Sequence, residues 1–468
     1  MNFILFISIF VILSAIFSNR FLNKLGIPTL FFFLCLGLFF GTDGLFKVDY
    51  SDFEQTKNLA SIALGFIIFY GGFCTKWKTA KPALVQSAIL STLGVFFTAF
   101  LVGLFCHYIL NLPILESFLF GSVIGSTDAA SVFSILKSKK LHLKEHTAPL
   151  LELESGSNDP MSYVLVILVL TLMQGESTSF VFGLFLKQMI LGILTGIVIA
   201  KLGIYIFQNT GIITDGNDSL FVIALVLAAY ALPQIYDGNP FLATYFLGII
   251  LGNAKIDNKV SMMNFFDSVT KLAQIAIFFT LGLLANPQKI PNLFISGVMI
   301  FLFLTFVARP LVIFILLKPF KSSYGQKLLV AWAGLRGVAS IVFAIIAMDS
   351  GVKLDCDLFH LVFLISVLSI AFQGTFLPWI ARASKMIDEN VDIRKTFNDY
   401  QEECAIKFMR LTIPTKHKWI GKKISEIDFP DGSLALYIKR DGIRILPKES
   451  TRIKEGDRIT LTLPVEDL

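Results

Sequence analysis

Charged side chains are scarce in this sequence, and their scarcity excludes most soluble functions. Only 16% of the 468 residues are Asp, Glu, Lys or Arg, whereas soluble globular proteins contain about 25%. The formal net charge of +6 is too small and too dispersed to indicate nucleic-acid binding. Because 55% of the residues are hydrophobic, a soluble enzyme and a disordered chain are both disfavoured.

Catalytic and metal-binding motifs are also missing. No two of the five cysteines have metal-ligand spacing, no HExxH or GxSxG pattern occurs, and the C-terminal tail contains no Gly-rich phosphate loop. We therefore expect neither enzymatic activity nor a cofactor. The apolar run from Phe3 to Phe17 lacks the basic start and the small-residue end of a signal peptide, so we expect a retained first span.

Long hydrophobic runs dominate the first 382 residues. A spanning helix needs about 20 mainly apolar residues, and the sequence contains thirteen candidates. They lie near 2–18, 27–45, 57–74, 83–109, 114–136, 148–173, 180–207, 218–233, 239–254, 265–285, 293–317, 325–349 and 358–381. The sequence therefore predicts an all-α polytopic membrane protein with about 13 transmembrane helices.

Loop charges predict the orientation of these spans. With the N-terminus outside, the predicted inner loops carry mainly Lys and Arg, and the outer loops carry mainly acids. This is the positive-inside pattern. We therefore expect the spans to lie in the inner (cytoplasmic) membrane and the tail to lie in the cytoplasm.

A charged tail follows the spans. Of the last 86 residues 31 are charged, against 43 of the first 382. We predict a membrane domain at 1–382, a linker at 383–403 and a small cytoplasmic α+β domain at 404–468. In that domain KFMRLTIP and RITLTLP favour strands, WIGKKISEID a short helix, and Asp441-Gly442 the turn of a hairpin. Its core is thin enough that we expect dimerisation.

Five ionisable residues lie deep inside the predicted spans. Each is a functional candidate, because burying a charge in a bilayer is costly. The three acids outnumber the two arginines, which cannot give up their protons. One acid must therefore lack a permanent partner. These residues are Asp128, Glu154, Asp159, Arg309 and Arg336.

Asp159 is the best candidate for the unpartnered acid. It follows the neutral Asn158 in the stretch LELESGSNDP, and Ser155 lies one helical turn before it. A carboxylate, a hydroxyl and nearby carbonyls form a hard-oxygen site suited to an alkali cation. An unpaired buried carboxylate holds either a proton or a cation, and this competition is the physical basis of exchange.

Two spans are interrupted by glycine and small polar residues. Asp128 lies in GSVIGSTDAAS and Arg336 in WAGLRGVAS, within the fifth and twelfth spans. Paired broken helices in two halves indicate a transporter, and an offset of seven spans predicts inverted repeats. Asp128 and Arg336 either pair with each other or offset the partial charges at the ends of half-helices. Arg309 then remains as the partner of Glu154.

These stretches resemble a known family. ESGSNDP, GSTDAAS and GLRGVAS are similar to the signature stretches of monovalent cation/proton antiporters of the electroneutral NhaP-type branch. The resemblance implies that Asp159 carries ion and proton, with Thr127 and Ser155 as ligands. It also implies salt bridges Glu154–Arg309 and Asp128–Arg336, and a homodimer of thirteen-helix protomers.

The tail resembles the TrkA-C (RCK-C) domain, and the combination is similar to bacterial potassium/proton antiporters. By this resemblance a nucleotide or another small ligand is a candidate regulator. One departure concerns the third span, where Tyr70 stands at a site position that is acidic in many relatives. The sequence therefore leaves Na⁺ and K⁺ both open as the transported ion.

The resulting prediction is a secondary transporter that exchanges K⁺ or Na⁺ for H⁺ through Asp159. Its partners are these ions, the lipid bilayer and a second copy of the chain. Two alternatives stay open, a ligand-gated cation channel and a transporter-like sensor. The channel lacks a TVGYG-type filter stretch, and the sensor would bind ligand without ion flux.

Overall fold

The computed structural model describes residues 9–14, 17, 29–41, 44–48, 50, 52–139, 141–209, 216–256, 258–388, 406–414, 417–427, 429, 434–440 and 443–464. Contacts divide the chain into two compact units, Met1–Glu389 and Asn390–Leu468. Most of the predicted first span, most of the predicted linker and the predicted turn at Asp441-Gly442 lie outside the described residues.

The first unit is built from helices. They are α1 (Thr29–Phe40), α2 (Phe53–Cys74), α3 (Trp77–Leu110), α4 (Ile114–Val123), α5 (Ala129–Ser138), α6 (Thr147–Met173), α7 (Thr178–Asn209), α8 (Asp218–Gln234), α9 (Pro240–Asn253), α10 (Lys259–Leu284), α11 (Pro287–Leu316), α12 (Tyr324–Trp332), α13 (Val338–Asp349) and α14 (Leu358–Ala383).

Helices occupy the positions of the predicted spans from the second to the thirteenth. Seven of the described helices are long and apolar enough to cross a membrane: α2, α3, α6, α7, α10, α11 and α14. Shorter apolar helices lie at the other predicted positions. The total of thirteen crossings and the inverted repeats remain predictions.

The two glycine-interrupted spans are each a pair of short helices. Helix α4 ends at Val123 and α5 begins at Ala129, while α12 ends at Trp332 and α13 begins at Val338. The two breaks touch, because the backbone N–H of Asp128 donates to the carbonyl of Leu335 at 2.8 Å. Non-helical backbone at membrane depth is tolerated when it is buried in protein like this.

Helix α6 lies at the centre of the first unit. It packs against α2, α3, α4, α7, α9 and α13, so its polar residues are surrounded by protein. Against α9, the α6 residue Gly156 has no side chain, and the ring of Tyr245 fills the space where a Cβ would project.

Glycines let two other helix pairs approach backbone to backbone. A Cβ on Gly37 of α1 would lie 2.8 Å from Cα of Gly282 on α10. On α2, a Cβ on Gly72 would lie 2.7 Å from the carbonyl oxygen of Tyr245 on α9. Small residues at such interfaces replace side-chain packing by direct backbone contact.

The second unit is a small antiparallel sheet. Its strands are β1 (Ile406–Thr412), β2 (Leu434–Arg440), β3 (Ile443–Ile445) and β4 (Arg458–Pro464), in the order β1-β4-β2-β3. Buried aliphatic side chains form its core: Ile413, Ile427, Ile438, Ile453, Ile459 and Leu461.

The predicted short helix of this unit is mostly wrong. Only Ile424–Glu426 is helical, as one 3₁₀ turn. Gly421 has a φ of +83°, a left-handed conformation that interrupts a right-handed helix. Its N–H donates to the carbonyl of Ile453 at 2.9 Å, and the N–H of Ile453 donates to the carbonyl of Lys422 at 3.0 Å. Pairing with a neighbouring segment therefore replaces helical bonds.

An ion pair with a buried carboxylate joins the end of β2 to the turn before β4. Arg440 donates from Nε and Nη2 to the two carboxylate oxygens of Asp457, both at 2.8 Å. Burial alone would raise the pKa of Asp457. The bonds from Arg440 and from the backbone N–H of Lys454 outweigh burial and hold that pKa below its usual range.

Candidate ion-binding site

The polar turn of α6 concentrates oxygen atoms at one level of the membrane unit. Asn158 and Asp159 precede Pro160, which has no N–H to bond the carbonyl of Gly156 in the usual helical manner. The carbonyl of Pro160 accepts a bond from Nδ2 of Asn239 at 2.9 Å. The proline thus leaves the carbonyl of Gly156 without its usual helical partner, in the same turn of α6 as Asn158 and Asp159.

The first break lies directly against this turn of α6. The Ser155 hydroxyl donates to the carbonyl of Thr127 at 2.6 Å. The Asn158 amide accepts from the backbone N–H of Thr127 at 3.3 Å and donates to its hydroxyl oxygen. The structure thus brings together Ser155, Asn158, Asp159 and Thr127, the four residues that the sequence predicts for the site.

Asp159 has a neutral partner. The hydroxyl of Ser126 donates to Oδ1 of Asp159 at 2.6 Å. The ion pairs between described residues do not include Asp159. Asn158 is fully buried, whereas Asp159 is partly accessible. Asp159 is therefore a largely buried acid that belongs to no ion pair among the described residues.

The donor set suits a hard monovalent cation. Carboxylate, hydroxyl and carbonyl oxygens are the ligands that such ions prefer over sulfur or imidazole. In the part of the chain that the structure describes, no group of three or more His, Cys, Asp or Glu could hold a metal ion. A cation at Asp159 would therefore take most of its ligands from neutral oxygens, and those of Thr127 and Ser155 lie in the adjoining break and in the turn of α6 before Asp159.

Glu154 and Arg309 form a buried ion pair. Nη2 of Arg309 lies 2.7 Å from Oε1 of Glu154, and the two side chains are only 2% and 1% exposed. A π-helical turn at Leu304–Ala308 leads directly into Arg309. Such turns open the helical ladder, and Pro310, which lacks an N–H, cannot close it. Glu154 is thus committed to an arginine, as the charge count predicts.

Asp128 and Arg336 do not form the direct ion pair predicted from the resemblance. Asp128 accepts from the N–H and the hydroxyl of Ser131, at 3.1 and 2.6 Å, and so caps the start of α5. Nη1 of Arg336 donates to the carbonyls of Gly125 and Ser126, at 2.8 and 2.6 Å.

The reason for this difference is the electrostatics of half-helices. A helix start is partially positive and attracts a carboxylate, while the carbonyls beyond a helix end attract a cation. Asp128 caps the helix start after the first break, and Arg336 bonds the carbonyls that follow the helix end before it. This matches the second alternative from the sequence, in which the two residues offset the partial charges of half-helix ends. Nε and Nη2 of Arg336 have no acceptor among the described residues.

Tyr70 contacts a carboxylate that the sequence analysis overlooked. Its hydroxyl donates to Oδ1 of Asp267 on α10 at 3.2 Å, and Asp267 also pairs with Lys271 at 2.5 Å. The spacing of Asp267 and Lys271, four residues apart inside a predicted span, was the available signal. Ser126 was also overlooked, because one hydroxyl among small polar residues carries no distinguishing pattern.

Comparison with known proteins places the chain in a family. The profile described as "Sodium/hydrogen exchanger, transmembrane" matches residues 8–383, and that of the TrkA-C domain matches residues 408–468. The K(+)/H(+) antiporter NhaP of Alkalimonas amylolytica is 30% identical, over 97% of this chain and 80% of that protein. The K(+)/H(+) antiporter NhaP2 of Shewanella baltica is 31% identical, over 93% and 76%.

Archaeal proteins are similar as well. Na(+)/H(+) antiporter 1 of Methanocaldococcus jannaschii is 29% identical over 69% of this chain and 78% of that protein. The solved structure of the sodium proton antiporter MjNhaP1 from that organism has a TM-score of 0.70 at 24% identity, over 80% of this chain and 100% of the other. The chain therefore belongs to the sodium/hydrogen exchanger family and is a multi-span membrane antiporter, not an enzyme.

Proposed function

We propose that the protein exchanges K⁺ or Na⁺ for H⁺ across the cytoplasmic membrane, with Asp159 as the shared site of both ions. The observation that carries this proposal is that Asp159 accepts from a neutral hydroxyl, belongs to no ion pair among the described residues and lies beside bonded hydroxyl, amide and carbonyl groups of the first break and of α6. A permanent cation at this position would hold the carboxylate ionised and would oppose cation binding. No ion pair between described residues includes Asp159, which leaves one negative charge for which a proton and a cation compete.

Competition at one carboxylate implies electroneutral exchange. Each crossing then carries either one proton or one monovalent cation, so the expected stoichiometry is one to one. The second acid of the α6 turn, Glu154, is held by Arg309, and the residue next to Asp159 is a neutral asparagine. Neither offers a further free charge to transport.

Alternating access is the mechanism that we propose for this exchange. Broken helices beside a central site are the arrangement in which one bundle rocks around a fixed binding position. Here the contact between the breaks joins α4/α5 to α12/α13, so both broken helices would move together with α6. We also propose thirteen crossings with inverted repeats, an external N-terminus, a homodimer, and regulation by the tail at 404–468.

The choice of ion rests on the relatives. Those named K(+)/H(+) antiporters match over 93% and 97% of this chain, tail included, while the Na(+)/H(+) antiporter matches over 69%. This difference favours K⁺. Tyr70, which stands where many relatives supply a carboxylate, gives the site one acidic ligand fewer and is consistent with a weakly held ion.

The decisive experiment compares Asp159→Asn with the wild-type chain in proteoliposomes that contain a pH-sensitive dye. Potassium chloride and sodium chloride are added separately. We expect the variant to lose all cation-driven pH change, because asparagine can neither release a proton nor balance a cation. Asp237→Asn is the matched control, since Asp237 is exposed and pairs only with exposed Lys187 among the described residues.

Normal exchange by Asp159→Asn would remove the assignment of the site. Large currents without a proton gradient would instead indicate a channel. An absence of flux in the wild-type chain, with ligand binding by the tail, would indicate a sensor.

A further inference from the structure

Ser126 lies in the first break and contacts the proposed site directly. Its side chain is 1% exposed, and its hydroxyl lies 2.6 Å from Oδ1 of Asp159. An ionised carboxylate has no proton to give, so the hydroxyl is the donor in the ionised state. Ser126 therefore stabilises the state of Asp159 that holds neither proton nor cation.

The backbone of Ser126 is fixed from the opposite side. Its carbonyl accepts from Nη1 of Arg336 at 2.6 Å, and the backbone N–H of Arg336 donates to the hydroxyl of Ser369 at 2.9 Å. Arg336 thus holds the backbone of the residue whose side chain bonds Asp159. A mobile serine would lose this bond easily, whereas one held by a buried arginine maintains it.

We propose that Ser126 is a positioning residue that weakens the binding of both the proton and the cation at Asp159. This inference rests on the proposed function, in which proton and cation compete for that carboxylate. Either guest neutralises Asp159 and reduces the strength of the bond from Ser126, because a hydrogen bond to a charged acceptor is stronger than one to a neutral acceptor. The hydroxyl thereby favours release of the bound proton or cation, which supports rapid turnover.

The other charged groups near Asp159 stay unchanged when Ser126 is altered. These groups are Asp128 and Arg336 in the two breaks and Glu154 on α6. From α9, the titratable side chain that contacts α6 is Tyr245, whose hydroxyl lies 3.5 Å from the carbonyl of Leu153. A change in pH dependence on removing the hydroxyl therefore reports on the hydroxyl itself.

The test is Ser126→Ala in proteoliposomes, with exchange measured as a function of pH and of potassium chloride or sodium chloride concentration. A hydrogen bond to a charged group corresponds to about a tenfold change in affinity. We expect the pH profile to move about one unit towards alkaline pH. We also expect the KM for the cation to fall by up to about tenfold at the alkaline end, where proton competition is weakest.

Ser122→Ala is the matched control. Ser122 is also buried, lies one turn earlier in the same span and donates to the carbonyl of Phe118 within its own helix at 2.8 Å. This variant loses the same atom from the same region but should leave both readouts unchanged. Ser126→Cys keeps a weak donor at the site, so it should give a smaller shift in the same direction.

The two kinetic readouts separate positioning from ligation. A higher KM for the cation, with or without a pH shift, would show that the hydroxyl is itself a ligand and would overturn the proposal. An unchanged pH profile and an unchanged KM in both Ser126→Ala and Ser126→Cys would overturn it as well. Either result leaves the outcome of Asp159→Asn intact, so failure of this inference is distinct from failure of the proposed function.

Discussion

Removing one member of the Glu154–Arg309 pair should destabilise the membrane unit severely. The two groups are 2.7 Å apart and almost fully buried. Opposite charges about 4 Å apart attract by about 4 kcal/mol at an effective dielectric constant of about 20. Loss of one partner leaves the other as an uncompensated buried charge, at a cost of about 3–5 kcal/mol.

A double-mutant cycle in detergent tests this reasoning. Glu154→Gln, Arg309→Gln and the double variant are compared by their unfolding free energies in a mixed-detergent denaturation series. Each single variant should lose about 3–5 kcal/mol, while the double variant, which has no orphaned charge, should lose much less than the sum. Neutralising Lys187 and Asp237, which are 46% and 67% exposed, should cost less than about 1 kcal/mol each.

Additive losses in the double variant would refute the argument, because they would show that the two residues do not depend on each other. Single-variant losses as small as those of the exposed Lys187–Asp237 pair would refute it too.

Two further predictions concern the helix contacts and the tail. Gly72→Ala should destabilise the membrane unit by about 1–3 kcal/mol, since its Cβ would meet the backbone of Tyr245 at 2.7 Å. Gly71→Ala, which meets nothing within 4 Å, should leave the melting temperature unchanged or raise it, because alanine is the better helix former, and equal losses in both variants would contradict the close contact. Because the folded pKa of Asp457 is lowered, its contribution to tail stability is complete above the ordinary Asp value of about 4 and is lost as pH falls through the folded pKa. Asp457→Asn should therefore speed hydrogen exchange in β4 at neutral pH, and under our proposal of regulation it should also alter the pH dependence of ion exchange. Faster hydrogen exchange with unaltered transport would leave the tail as an assembly module.

The sequence predicts the membrane helices well because spanning a bilayer imposes a length and an apolarity that can be counted. The breaks around Asp128 and Arg336 are visible for a similar reason, since glycine and small polar residues rarely interrupt a span without cause. Counting charges also identifies Glu154 and Arg309 as partners, because an acid offsets the cost of burying an arginine. These features depend on composition along the chain, and composition is what a sequence displays.

Contacts that depend on direction are not visible in this way. Counting treats Asp128 and Arg336 as point charges and so admits a direct pair, whereas the structure turns each towards a different end of a half-helix. The bond from Tyr70 to Asp267 joins residues 197 positions apart. The helix predicted near Gly421 fails because pairing with a distant segment outweighs the local preference.

The backbone contacts at Gly37, Gly72 and Gly282 bear on which parts of the molecule can rock. Helices that touch through bare backbone have no side chains to repack, so sliding by even one residue would drive a Cβ into a carbonyl. These pairs must travel as rigid bodies. Between α6 and α9, by contrast, the aromatic ring of Tyr245 lies over Gly156, and a flat ring over a smooth surface tolerates small shifts. If α6 moves during transport, we therefore expect the movement at its contact with α9, while the helices in direct backbone contact move as rigid units.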